Sequence, residues 1–228
     1  MSKHLERDLE QLERDLLAQS AKVEEMIRTA CRALCERRAD LALQLFSREP
    51  EINHREVLIE EECLKILALH QPVAVDLRRT AIVLKVNGDL ERIADLAVNI
   101  AERTQVIAAH PEFEIPTALE RMVVVAISMV RDALDSFVDL DVNLAREVCL
   151  RDDEVDEFNR QVIDELQVVM RERSELINVA LHFFSASRHV ERIADHATNI
   201  AEDVIYLVEG EIARHRHEDT KPQIHSTK

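Results

Sequence analysis

The chain has 228 residues, a formal net charge of -16, 3% aromatic residues and only 2 Gly and 5 Pro. That balance excludes a sequence-independent nucleic-acid binder, which needs a basic surface to displace counterions from phosphates. Few turn formers and 32% charged residues point to long helices rather than sheet. No apolar run approaches the roughly 18 residues of a membrane span, and the N-terminus enters a charged periodic pattern at once, so a soluble, cytoplasmic protein is expected. Cys31 and Cys35 could share a helix face, but with only Cys63 and Cys149 besides them they are read as small buried apolar residues.

In chain order, Leu5, Leu9, Leu12, Leu16, Val23, Met26, Ala30 and Leu34 recur at three- and four-residue steps and predict one long amphipathic helix over about 2–36. A short helical stretch, Ala39 to Phe46, follows. Glu49-Pro50-Glu51 opens the next helix, since Pro is tolerated in a first turn and acids favour the positive dipole end. It runs to about His70, with Ile52, Ile59, Cys63 and Ile66 inward. Gln71-Pro72 breaks it, because the residue before Pro is pushed out of the α region. A helix over about 73–109 then carries the seam Val83, Val86, Leu90, Ile93, Ala97, Ile100, Thr104, Ile107, with Gly88 inside it.

His110-Pro111-Glu112-Phe113-Glu114-Ile115-Pro116 has no helical period and divides the chain. Beyond it the plan repeats: a helix over 117–139, a short piece near 142–150, a helix over about 152–173 and a long one over about 175–209. The expected fold class is all-α, two tandem, pseudo-symmetric three-helix bundles. The first is assigned to residues 1–110 and the second to 117–210. Residues 211–228 are polar and read as a disordered tail.

The duplication is written most plainly in one phrase. Glu91-Arg92-Ile93-Ala94-Asp95-Leu96-Ala97-Val98-Asn99-Ile100-Ala101-Glu102 returns as Glu191-Arg192-Ile193-Ala194-Asp195-His196-Ala197-Thr198-Asn199-Ile200-Ala201-Glu202, changed only at Leu96/His196 and Val98/Thr198. At about 100° per residue, Glu91, Asp95, Asn99 and Glu102 fall opposite the Ile93 seam and form an outward oxygen-rich stripe. Glu191, Asp195, Asn199 and Glu202 do the same. Carboxylates four apart repel by a few tenths of a kcal/mol unless cations offset them. Arg92 and Arg192 are expected to offset part of this.

A turn near Pro72 sets Asn53 level with Glu91, so Glu49, Asn53, Glu56 and Glu60 flank the first stripe. A turn near Ser174 sets Asp156 level with Glu191, beside Asp152 and Asn159. Carboxylate and amide oxygens with few His or Cys suit hard or borderline cations such as Mg, Mn, Ca or Fe better than a structural zinc. The alternative is that the stripes are solvated acidic faces.

The two phrases, together with Gln71-Pro72-Val73-Ala74-Val75-Asp76-Leu77-Arg78-Arg79 and the two-half helical plan, resemble the PhoU family of bacterial phosphate-signalling regulators. The resemblance covers about residues 5–209. It implies two three-helix bundles in a negative regulator of the phosphate regulon. The implied partners are the ATPase subunit of the phosphate ABC transporter and a phosphate-sensing histidine kinase, so the chain would meet a membrane only through them. It further implies metal ions, drawn from Mg, Mn, Fe or Zn, on E(D)xxxD motifs. These map to Glu49/Asn53, Glu91/Asp95, Asp152/Asp156 and Glu191/Asp195, with Asn53 departing from the acidic pattern. Asn99, Glu102, Asn199 and Glu202 complete the candidate metal residues. Asp76-Leu77-Arg78 has no counterpart in the second half, and a homodimer is left open.

Two rival readings stand beside this. Di-iron and ferritin-like bundles need Glu plus two inward Glu-x-x-His motifs; Glu51/His54 is the one candidate, and no catalytic set is expected. His196 lies nearer the seam than the acids and reads as a flanking or satisfied core histidine rather than a ligand. The third reading is a metal-free helical adaptor with acidic docking faces.

Overall fold

A computed structural model describes residues 3–210; the expected tail at 211–228 lies outside the described residues. Seven α-helices follow in order: α1 Lys3–Glu36, α2 Ala39–Leu45, α3 Glu49–His70, α4 Ala74–Ile107, α5 Thr117–Asp139, α6 Val142–Glu172 and α7 Ile177–Glu209. A single 3-10 turn, Ser174–Leu176, joins α6 to α7. Helices α1, α3 and α4 form one three-helix bundle with α2 across its end, and α5, α6 and α7 form the second.

Helix α6 corrects the expected plan: it is continuous where a short piece and a separate helix were predicted. The first half breaks between α2 and α3 because Pro50 cannot donate a backbone hydrogen bond and its ring would clash one turn back. The corresponding stretch, Cys149-Leu150-Arg151-Asp152-Asp153, contains no such residue, so its helix continues. Asp141 caps its start, accepting from the backbone N–H groups of Asn143 and Leu144.

The seam residues of α4 are buried as the periodicity requires, Thr104 included, its hydroxyl donating to the Ile100 carbonyl at 2.8 Å. Other faces of α4 are buried too. Its most extensive neighbour is α7, so the two bundles share one continuous core through the two long helices. Leu96 and Asp89, off the seam, are buried for this reason. The register of the crossing is antiparallel: Lys85 pairs with Asp203, and His196 Nδ1 lies 2.8 Å from Asp89 Oδ1. The satisfied histidine expected at 196 is therefore observed, with its partner on the other half.

Several polar groups elsewhere in the core are matched, although the Oε1 of Gln19 is buried without a partner. Gln19, fully buried on α1, donates to Asn87 Oδ1 at 3.1 Å, and Asn87 Nδ2 donates to the Glu56 carbonyl at 2.9 Å, tying three helices together. Arg37 donates to the carbonyls of Pro111 and Phe113, and Phe113 stacks on Phe183, which anchors the segment between the halves. Cys31, Cys63 and Cys149 are buried and Cys35 is half-buried, all as free thiols. Burial raises each thiol, Cys63 and Cys149 to about 12.

Candidate functional site

In the second half, α6 and α7 lie side by side with their oxygen-bearing residues interleaved. Asn159 Nδ2 donates to Glu191 Oε1 at 3.2 Å, and Thr198 Oγ1 donates to Asp152 Oδ1 at 3.2 Å. Between these contacts sit Asp156 and Asp195. The register differs by one helical turn from the expected one: Asn159, rather than Asp156, faces Glu191. Both contacts centre the hairpin on Glu175, inside the 3-10 segment that begins at the expected turn residue Ser174.

The crowding of acids raises their affinity for protons. Burial of the carboxyl first, then Asp152, Glu191 and Asp156, push Asp195 from its ordinary 3.8 up to about 6, even though the residue as a whole is exposed. Burial also raises Glu191, with Arg188 opposing it and Asp156 adding to it. Arg188 Nη1 reaches Glu191 Oε1 at 2.5 Å, a neutralising contact in addition to the part expected of Arg92 and Arg192. Arg92 lies 3.9 Å from Asp89, and its charge also lowers the Glu91 carboxyl, so it offsets part of the first stripe as expected.

Two oxygens of this cluster are buried without a hydrogen-bond donor, Asn159 Oδ1 and Glu191 Oε2, although Arg188 is within ion-pair distance of the latter. A buried acceptor left unmatched costs about 1–3 kcal/mol. Acceptor oxygens lacking donors, beside clustered carboxylates, are a donor set that fits a hard cation. Among the described residues, no three side chains of His, Cys, Asp or Glu converge closely enough to hold a metal ion as they stand.

The first half builds a related cluster from different positions. Burial first, then Asp95 and Glu56, raise Glu91; burial first, then Glu60, raises Glu56. Asn53 is exposed, and the group that α3 presents to Glu91 is Glu56, one turn further along. The buried residues Ile52, Ile59 and Cys63 correspond to Val155, Val162 and Leu166, which makes Asn53 the counterpart of Asp156 and Glu56 the counterpart of Asn159. Each half therefore carries one acid and one amide at this pair of positions, in exchanged order. The asymmetry read from Asn53 alone disappears, and Glu56 joins the candidates; its place in the Glu49, Asn53, Glu56, Glu60 stripe was the available signal. Glu49 is half-buried in the first turn of α3, and Asp95 is half-buried on α4.

The distal end of the second stripe does not lie on a free outer face as expected. Asn199 and Glu202 line a cavity of about 680 Å³ between α4 and α7, opposite Leu84, Lys85, Gly88, Asp89 and Arg92. Glu202 remains near Asp152, since both raise the Cys149 thiol after burial does. In the first half Asn99 is half-buried and Glu102 is exposed beside Arg103, at 3.9 Å. No Cβ added at Gly88 would meet another atom within 4 Å, so this glycine answers to no close approach.

Comparison with known proteins agrees with the duplicated architecture. The PhoU domain profile matches twice, over residues 16–104 and 119–204. The phosphate-specific transport system accessory protein PhoU homologue of Deinococcus radiodurans is 38% identical over 210 residues, covering 92% of this chain and 99% of that protein. The homologue of Aquifex aeolicus is 38% identical over 211 residues, with 92% and 96% covered. The crystal structure of PhoU from Pseudomonas aeruginosa superposes with a TM-score of 0.86 at 38% identity, covering 90% of this chain and 99% of that one. The phosphate transport system regulatory protein PhoU from Streptococcus pneumoniae gives a TM-score of 0.84 at 26% identity, covering 91% and 98%. With both halves matched and the relatives spanned almost end to end, the chain belongs to the PhoU family.

Proposed function

We propose that this chain is an accessory regulator of the phosphate transport system that acts in the cytoplasm as a negative regulator of the phosphate regulon. Its partners are the ATPase subunit of the phosphate ABC transporter and the phosphate-sensing histidine kinase. The observation that carries the reading is the match over nearly the whole chain to relatives named as phosphate-specific transport system accessory proteins. It works as a regulatory protein by contact, not as an enzyme. Among the described residues no helix is long and apolar enough to cross a membrane, in keeping with peripheral action through the transporter. Deleting its gene in the native host switches on phosphate-starvation genes in phosphate-rich medium; unchanged expression overturns the proposal.

The acidic clusters supply the second part of the proposal. Asp152, Asp156, Asn159, Glu191 and Asp195 hold a metal ion in the second half, and Glu49, Glu56, Glu91 and Asp95 do so in the first. A divalent or trivalent ion supplies positive charge that offsets carboxylates otherwise held together against their repulsion. The chain's own contribution is to hold these oxygens level across two helices, with Thr198 and Asn159 orienting Asp152 and Glu191. One observation favours the metal-free adaptor instead: the side chains do not converge on a single point as they stand, so binding requires rotamer changes at Asp152, Asp156 and Asp195. Metal analysis of the purified protein separates the two readings. A homodimer belongs to the same proposal, tested by its mass in solution.

A further inference from the structure

The pseudo-two-fold of the duplication lets the two ends of the molecule be compared. Leu16, Val23, Ala30 and Leu34 are buried on α1 as Leu119, Ala126, Ala133 and Phe137 are on α5, and both helices stop at a residue with positive φ, Arg37 and Leu140. The repeated phrase equates α4 with α7 in the same way, Glu91 with Glu191. Arg37 is thus the counterpart of Leu140, Ile107 of Leu207, Val83 of Phe183 and Arg78 of Asn178. At one end, the place beside these residues is filled by the segment that joins the halves. Phe113 is buried there, stacked on Phe183 with ring centroids 4.9 Å apart, and Arg37 donates to the carbonyls of Pro111 and Phe113. An exposed acid flanks the aromatic on each side, Glu112 and Glu114.

At the other end the corresponding place is a cavity of about 360 Å³. Leu17, Val75, Val138, Leu140 and Val208 form its walls, all of them exposed, over the buried Phe137 and Leu207. Its rim carries Arg78 and Arg79 of α4 and Glu13 of α1. Arg79 reaches Glu13 at 2.6 Å, so these two charges answer each other. Arg78 is half-buried and its Nε is buried without a hydrogen-bond partner. Its guanidinium stands at the C-terminal end of α7, where a Cβ built on Gly210 would lie 4.0 Å from Arg78 Cζ. The stretch Asp76-Leu77-Arg78, which has no counterpart in the second half, therefore borders the open copy of a groove that the chain itself fills at its other end.

We infer that the groove between Val75 and Arg78 of α4, Leu140 at the end of α5 and Val208 of α7 docks a short extended segment of a partner protein, one that carries an aromatic or large aliphatic side chain next to a carboxylate. The side chain fills the cavity as Phe113 fills its counterpart, and the carboxylate pairs with Arg78. In a protein of net charge -16, this basic rim selects an acidic segment. The chain's own sequence beyond Gly210 is a poor match, since Glu211-Ile212-Ala213-Arg214-His215-Arg216 has no aromatic and sets two arginines against one acid. Any protein carrying such a segment meets the requirement, so the surface is independent of the partners proposed above.

The probe is a fluorescently labelled peptide with the sequence of the joining segment, His-Pro-Glu-Phe-Glu-Ile-Pro, titrated with the full chain and followed by anisotropy. Saturable binding is expected, weakened about tenfold when the peptide's Phe is replaced by Ala or both Glu by Gln. Val75→Glu sets a competing carboxylate near Arg78, and Leu140→Asn removes an apolar wall while suiting the positive φ. These two and Arg78→Gln each weaken binding by about tenfold, and the Arg78→Gln protein no longer distinguishes the Glu peptide from the Gln peptide. Val124→Gln, at another exposed apolar residue of α5 about 24 Å along the helix from Leu140, leaves binding unchanged. No binding at about 1 mM peptide, binding indifferent to the Phe, or equal loss with Val124→Gln and Leu140→Asn overturns the inference. A wild-type dimer that Val75→Glu splits gives the groove to a second copy, and binding seen only with Ile212→Ser gives it to the chain's own C-terminal segment; either result overturns it too. Circular dichroism of each variant excludes unfolding as the cause.

Discussion

Replacing Asp195 by Asn tests whether the acidic cluster is held together against its own repulsion. Its carboxyl is held at about 6 rather than 3.8, so the folded state binds the proton more tightly than the unfolded chain does. The sign follows: the penalty is absent below the unfolded value, grows as pH rises, and is complete above about 6. Fully expressed it would reach about 3 kcal/mol. Because Asp195 is an exposed residue whose charge water screens, we discount this to about 1 kcal/mol. For a domain of this size that corresponds to about 2–4 °C in Tm. In chelator at pH 7, Asp195→Asn should therefore unfold at higher temperature or urea concentration than wild type, and the difference should vanish near pH 4. A variant less stable than wild type at pH 7, or a difference independent of pH, refutes the reasoning. Adding Mn should stabilise wild type more than the variant, since a ligand held at a hundred times its Kd adds about 2.7 kcal/mol to the state that binds it.

Two further substitutions probe the scaffold. Gly88→Ala meets no atom within 4 Å and replaces a helix-interior glycine, so urea denaturation should report stabilisation of about 0.5–1 kcal/mol. His196→Leu, which copies Leu96 across the pseudo-two-fold, removes the partner of buried Asp89 and should cost about 1–3 kcal/mol. Adding Asp89→Asn to it should recover part of that loss, and a double-mutant cycle without coupling would contradict the contact.

The helices were legible because their signals are local. The seam from Val83 to Ile107 and the breaks at Gln71-Pro72 and His110–Pro116 depend on neighbouring residues only, and the repeated phrase made the two-bundle plan plain. The continuity of α6 was obscured by assuming that the second half copies the break that Pro50 imposes on the first. The α4/α7 crossing was hidden for a different reason. Asp89 and Asp203 look like solvent-facing residues within either half, and their burial follows only from packing the halves together. Within the candidate site, helical period identified the acidic faces of α4 and α7. The exchange of Glu56 for Asn159 required the α3/α4 and α6/α7 registers, and the second of these is centred within a 3-10 turn.

The proposal that acidic residues repeated in both halves hold metal is tested most directly by elemental analysis. Wild-type protein and the Asp95→Ala/Asp195→Ala double variant are incubated with Mn or Fe, passed over a desalting column and measured for metal per chain. The account predicts metal retained by wild type and lost from the double variant while its helical content is unchanged. Wild type carrying no more metal than the double variant contradicts it and leaves the metal-free adaptor as the reading of these faces.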